Sequence, residues 1–126
     1  MSKFITEISD EEIKKYVEKY KILNKDDLSK ELDSKLKDFR ASSPDIKALD
    51  LKLDFDTFVP DLKKVICKDL KYCTNQKKYE LAYEKLVPII VPFLITAAGI
   101  AISVEIACIL VIIVLKIGLD IFCECP

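Results

Sequence analysis

The sequence predicts an all-α protein of about five helices that ends in an apolar helical hairpin. Apolar residues recur at helical spacing through most of the first 85 positions. Residues suited to helix caps stand in front of several of these runs. Charge then all but disappears: 37 of residues 1–85 are charged, against four of residues 86–126. The chain divides into a charged amphipathic region, 1–85, and an apolar region, 86–126.

Ser9 and Glu12 have the spacing of a capping box and open a run with Ile13, Tyr16, Val17 and Tyr20 on one face, a helix from about 10 to 23. Asn24 is placed to cap a second helix, with Asp26 and Asp27 in its first turn and Leu28, Leu32, Leu36 and Phe39 about one turn apart. The short link makes the two an antiparallel pair. Ala41 to Pro44 reads as a linker, and Ser43 with Pro44 also suits the start of a further helix. Leu49, Leu51, Leu53 and Phe55 alternate with charged residues, so 49–56 reads equally as a short strand, pairing with Phe4 to Ile8, or as a short helix using Ile46, Leu49 and Leu53. Pro60 suits a helix start, ahead of a stripe formed by Leu62, Val65, Ile66, Leu70 and Cys73. From about Lys77 the pattern is helical through Tyr79, Ala82, Tyr83 and Leu86, and it runs into the apolar region without a linker.

Within that region Ser103 suits the cap of a second helix whose first turn holds Glu105. Drawn from Val104 to Phe122, this helix measures about 28 Å, close to the roughly 30 Å of a bilayer's hydrocarbon. Pro88 and Pro92 lie one turn apart and mark a hinge in the first helix, Gly99 falls in the small-residue turn, and Lys116 is near enough to a helix end to snorkel. These five residues, Pro88, Pro92, Gly99, Glu105 and Lys116, are the candidate determinants of membrane insertion. An apolar hairpin of this kind also suits the core of a bundle, wrapped by the stripes of residues 9–86. In general design the chain resembles colicin pore-forming domains, where a buried apolar hairpin inside amphipathic helices is released into a membrane.

Composition narrows the chemistry. At 126 residues the chain has room for one modest core. Interspersed Lys and acids, with a net charge of −1, form no basic stripe for nucleic acid. The absence of His removes the commonest general base and zinc ligand. Cys67, Cys73, Cys108, Cys123 and Cys125 lack paired metal-site spacings and read as reduced thiols of a cytosolic protein, with Cys108 a small hydrophobe. Tyr16 with Tyr20 and Tyr79 with Tyr83 read as core pairs, the second also as an interfacial belt. Asp54-Phe55-Asp56-Thr57 resembles the paired aspartates of haloacid dehalogenase-type phosphatases, where one Asp attacks phosphorus and the other handles the proton. That family places its Thr four positions after the first Asp and Thr57 stands three after, so a solvated acidic face accounts for the run better. The terminal Cys123-Glu124-Cys125-Pro126 departs from a prenylation signal at the second and fourth positions.

These readings lead to a non-enzymatic membrane-active protein, built like a toxin or defence effector, with no cofactor, metal or small-molecule substrate. Its N-terminal helices bind a protein partner or a second copy while the hairpin anchors in or perturbs a membrane. Lys71, Lys77, Lys78 and Lys85 before the apolar region, against Asp120 and Glu124 after it, place the N-terminal region in the cytoplasm at the cytoplasmic membrane. The alternative is a cytoplasmic, soluble helical interaction module, such as an immunity protein or a small complex subunit.

Overall fold

The computed structural model describes residues 10–41, 54–97 and 102–126. The fold is all-α: α1 (Asp10–Tyr20), α2 (Lys25–Ala41), α3 (Phe55–Lys63), a π-helical turn (Lys64–Asp69), a 3₁₀ turn (Gln76–Tyr79), α4 (Tyr83–Ala97), α5 (Val104–Ile117) and the single turn α6 (Leu119–Phe122).

Helix α5 is apolar on every side, and such a helix must be enclosed. From Ile106 to Val114 nine consecutive residues are buried. Helices α1, α2, α3 and α4 all pack against it. Each brings the stripe that its sequence spacing implies: Ile13, Val17 and Tyr20 from α1, Leu28, Leu32 and Leu36 from α2, Phe58 and Leu62 from α3, and Leu86, Val87, Ile90, Val91 and Leu94 from α4. The result is one contiguous core, with Tyr16, Phe39 and Tyr83 packed at its margin.

Local signals set the boundaries. Asn24 accepts the Asp27 amide at 2.8 Å on its side chain and the Leu28 amide at 2.9 Å on its carbonyl, which starts α2. Ser103 accepts the Ile106 amide at 3.1 Å and starts α5. Gly118 ends α5, with φ of +104°, a conformation that a side chain disfavours.

That stop corrects the expected 19-residue helix. Fourteen residues span about 21 Å, well short of the roughly 30 Å of a bilayer's hydrocarbon. Among the described residues no helix is long and apolar enough to cross a membrane, which overturns the expectation of a transmembrane protein at the cytoplasmic membrane. The apolar segment serves as the bundle's core instead.

Other boundaries also move. Asp54 caps α3 in a reciprocal capping box, its side chain accepting from the Thr57 amide and the Thr57 hydroxyl accepting from the Asp54 amide, both at 3.1 Å. Residues 54–56 are therefore a helix start and not part of a strand; Ala41, expected in the linker, is the last residue of α2, while the rest of that linker at 42–44, residues 49–53 and the proposed pairing segment 4–8 lie outside the described residues. Pro60 sits inside α3 and not at its start. The helix expected from Lys77 is interrupted at residues 80–82, between the 3₁₀ turn and α4.

Four of the five cysteines are paired, contrary to the expected free thiols. Cys67 is bridged to Cys123, and Cys73 to Cys125. Cys108 alone is free, and it is buried in α5 as anticipated.

Candidate functional site

Lys19, Tyr20 and Lys21, at the end of α1, connect to both ends of α5. The Tyr20 hydroxyl donates to Glu105 Oε2 at 2.5 Å, and Lys19 lies 3.7 Å from the same oxygen. Lys35, from α2, lies 3.6 Å from Glu105 Oε1. A carboxylate in the first turn of α5, favoured there by the helix dipole, thus ties three helices together. Burial, then the hydrogen bond to Glu105, pushes the Tyr20 hydroxyl far above its ordinary pKa. The Cys108 thiol beneath is pushed up to about 12, chiefly by burial and further by Glu12 and Glu105.

The other end of α5 is held through Lys116. Its ammonium donates to the Lys21 carbonyl at 2.6 Å and lies 5.5 Å from the centre of the Tyr83 ring. Lys21 in turn pairs with Glu84 at the start of α4. That hydrogen bond raises the pKa of Lys21 and lowers that of Glu84, so both stay charged. Lys21, Ile22, Ala82, Tyr83, Glu84 and Lys116 line an open groove of about 400 Å³. Lys21 and Glu84 are paired and Lys116 is held by the Lys21 carbonyl, whereas Ile22, 78% exposed, stands on the rim without cover.

Three further exposed apolar residues interrupt the charged surface: Ile121 on α6, at 72% exposure, Phe93 on α4, at 49%, and Leu81 just before α4, at 37%. The C-terminal turn that carries Ile121 is fixed from several sides. Beside the two disulfides, the Tyr72 hydroxyl donates to Asp120 at 2.7 Å, and Lys63 lies 3.7 Å from Glu124. Tyr72 also stacks obliquely on Tyr79, with ring centroids 6.3 Å apart.

Of the residues singled out from sequence, Glu105 and Lys116 occupy separate interhelix clusters that share the end of α1. Pro88 and Pro92 are half-buried in α4, which continues through both as one helix. Gly99 lies outside the described residues. Sequence reasoning missed Tyr20, Lys19, Lys35, Lys21 and Glu84 as partners, because long-range pairing of surface charges leaves no local pattern. It also missed the cysteine pairs, although two cysteines one residue apart at the C-terminus were a signal. Among the described residues no group of three or more His, Cys, Asp or Glu is placed to hold a metal.

No protein-family model matches the chain, and no curated protein and no solved structure matches it either.

Proposed function

We propose that this chain is a non-enzymatic helical interaction module, a small binding protein or complex subunit that recognises a protein partner through its surface. The observation that supports this most is Ile22. A large apolar side chain stands 78% exposed beside a groove whose ionic groups already have partners, so a docking apolar side chain strands no charge there. Enclosure of α5 argues the same way, since the longest apolar segment is consumed by the protein's own core. The two disulfides favour action in an oxidising compartment over the reducing cytosol assumed from sequence.

Site-directed photocrosslinking in the native host tests the reading. A photoreactive residue at position 22 is expected to yield one discrete protein adduct. The same residue at position 37, exposed on the charged side of α2, should not. Ile22→Asp, supplied in excess as a competitor, should leave the adduct intact while the unaltered chain removes it. Identical adduct patterns from positions 22 and 37 would reject the proposed surface.

A further inference from the structure

Both disulfides join the same two short segments. Residues 67 and 73, in and just after the π-helical turn, are bridged to residues 123 and 125 of the tail. The tail is folded into a hook: Glu124 has a φ of +54°, and the Cys125 amide donates to the Asp120 carbonyl at 3.0 Å. Cys123 and Cys125 therefore face one segment from one side, with a single residue between them. All four cysteines are partly exposed, so a reductant can approach either bridge.

We propose that this arrangement is a redox latch in which one two-electron reduction opens both bridges. A thiolate of a dithiol reductant attacks Cys73 Sγ; the Cys73–Cys125 bond breaks and Cys125 leaves as a thiolate. The reductant's second thiol then displaces Cys73 and closes the reductant's own disulfide, so the dithiol is oxidised and Cys73 takes up a proton. Cys125 now attacks Cys123 Sγ two positions away. A Cys123–Cys125 bond forms, the Cys67–Cys123 bond breaks, and Cys67 leaves as a thiolate and is protonated. The balance is one dithiol oxidised, two thiols formed at Cys67 and Cys73, and one disulfide retained within the tail. Opening Cys67–Cys123 first gives the same product, because the freed Cys123 then attacks Cys125.

The consequence is conformational. No covalent link then holds the tail to the π-helical turn, and Leu119 and Phe122, which α6 buries, lose the constraint that keeps them covered. Oxidation of Cys67 and Cys73 by a disulfide-bearing oxidant reverses the exchange.

The full chain is treated, without denaturant, with one equivalent of dithiothreitol, and free thiols are alkylated before tryptic mass spectrometry. The expected result is alkylation of Cys67 and Cys73 in equal yield, with the tryptic peptide 117–126 unlabelled and lighter by one hydrogen pair than its dithiol form. Cys108, buried, should stay unlabelled and report that the core has not opened. In Cys125→Ser, where no relay exists, Cys67 and Cys123 should become labelled together. Retention of either original bridge in the singly reduced wild type, any other pairing, a mixture of only fully reduced and untouched chains, or a starting protein without the two bridges would overturn the latch.

Discussion

Ile106 to Val114 are all buried in the centre of the bundle, whereas only Leu119 and Phe122 are buried from Gly118 to Pro126. The first stretch is held by packing from α1, α2, α3 and α4, with Glu105 and Lys116 tying its flanks to neighbouring helices. The second buries too little to fix itself and is held by two disulfides, a tyrosine–aspartate hydrogen bond and one ion pair. Where apolar surface is abundant, burial outweighs the entropy of ordering the chain. A single helical turn followed by four residues cannot reach that balance, and covalent links restrict the unfolded chain instead.

If packing alone holds α5, its most sensitive point is a large side chain in its middle. Leu110→Ala leaves a cavity among helices that relax only partly, and should lower the unfolding free energy by about 2 to 5 kcal/mol. Urea denaturation measures this. A loss below about 1 kcal/mol would mean that the helices collapse onto the gap, contrary to a closely packed centre.

The tail should respond to cysteine removal in a non-additive way. The bridges close loops of 56 and 52 residues between the same segments, so either one alone restricts nearly the same length of chain. Replacing Cys123 and Cys125 together by Ser should cost about 2 to 4 kcal/mol, while Cys73→Ser with Cys125→Ser, which spares the Cys67–Cys123 bridge, should cost well under half of that. A loss in the second variant of about half that of the first would show that the bridges act independently.

The contrast between the two stretches also explains what was legible in the sequence. Helices α1, α2 and α5 follow from local information: a stripe at helical spacing, Asn24 or Ser103 as a cap, and acids in the first turn. The sequence leaves the enclosure of α5 as one of two readings, because apolar length alone does not distinguish lipid from protein as the surroundings. Its length was misjudged for a local reason, since Gly118 offers the backbone freedom that stops a helix and was read through as one more apolar-helix residue. Asp54 with Thr57 was weighed as chemistry or solvated charge when its work is a reciprocal cap. Disulfide pairing, like the convergence of Tyr20, Lys19 and Lys35 on Glu105, joins residues distant in sequence, so the local spacing of Cys123 and Cys125 hints at bridges without assigning their partners.

The Glu105 cluster joins core and surface, so its removal should cost less than a hole in α5. Tyr20→Phe deletes a hydrogen bond to a charged acceptor and should cost about 1.5 to 3 kcal/mol. Tyrosine titration gives this region and the tail a common pH signature. Burial, then the hydrogen bond to Asp120, moves Tyr72 up to about 12, and Tyr20 is raised further. An unfolded tyrosine loses its proton near about 10, so the stability gained by holding the folded group neutral is complete below that pH. It is then lost as pH rises through about 10 toward 12 for Tyr72. Unfolding measured after brief pH jumps should show this decline, with a shallower slope in Tyr72→Phe. Parallel slopes would show that Tyr72 is not linked to folding.

The smallest effect is expected at Gly118, the hinge between the two stretches. An added Cβ there would meet only Ile121 Cδ1, at 3.8 Å, which is ordinary contact. Crowding therefore contributes little, and the cost of Gly118→Ala comes from holding an L-residue at a φ of +104°. That cost should be about 1 to 2 kcal/mol. Stereochemistry separates backbone strain from packing, because positive φ is the natural side for a D-residue. Residues 118–126 are short enough to be made synthetically and ligated to the rest of the chain, with L-Ala or D-Ala at position 118. The D-Ala protein should recover most of the stability that L-Ala loses, as read from urea midpoints with both disulfides formed. Equal destabilisation by the two enantiomers would place the cost in packing around Ile121, and α5 would then end for a reason other than the conformation of Gly118.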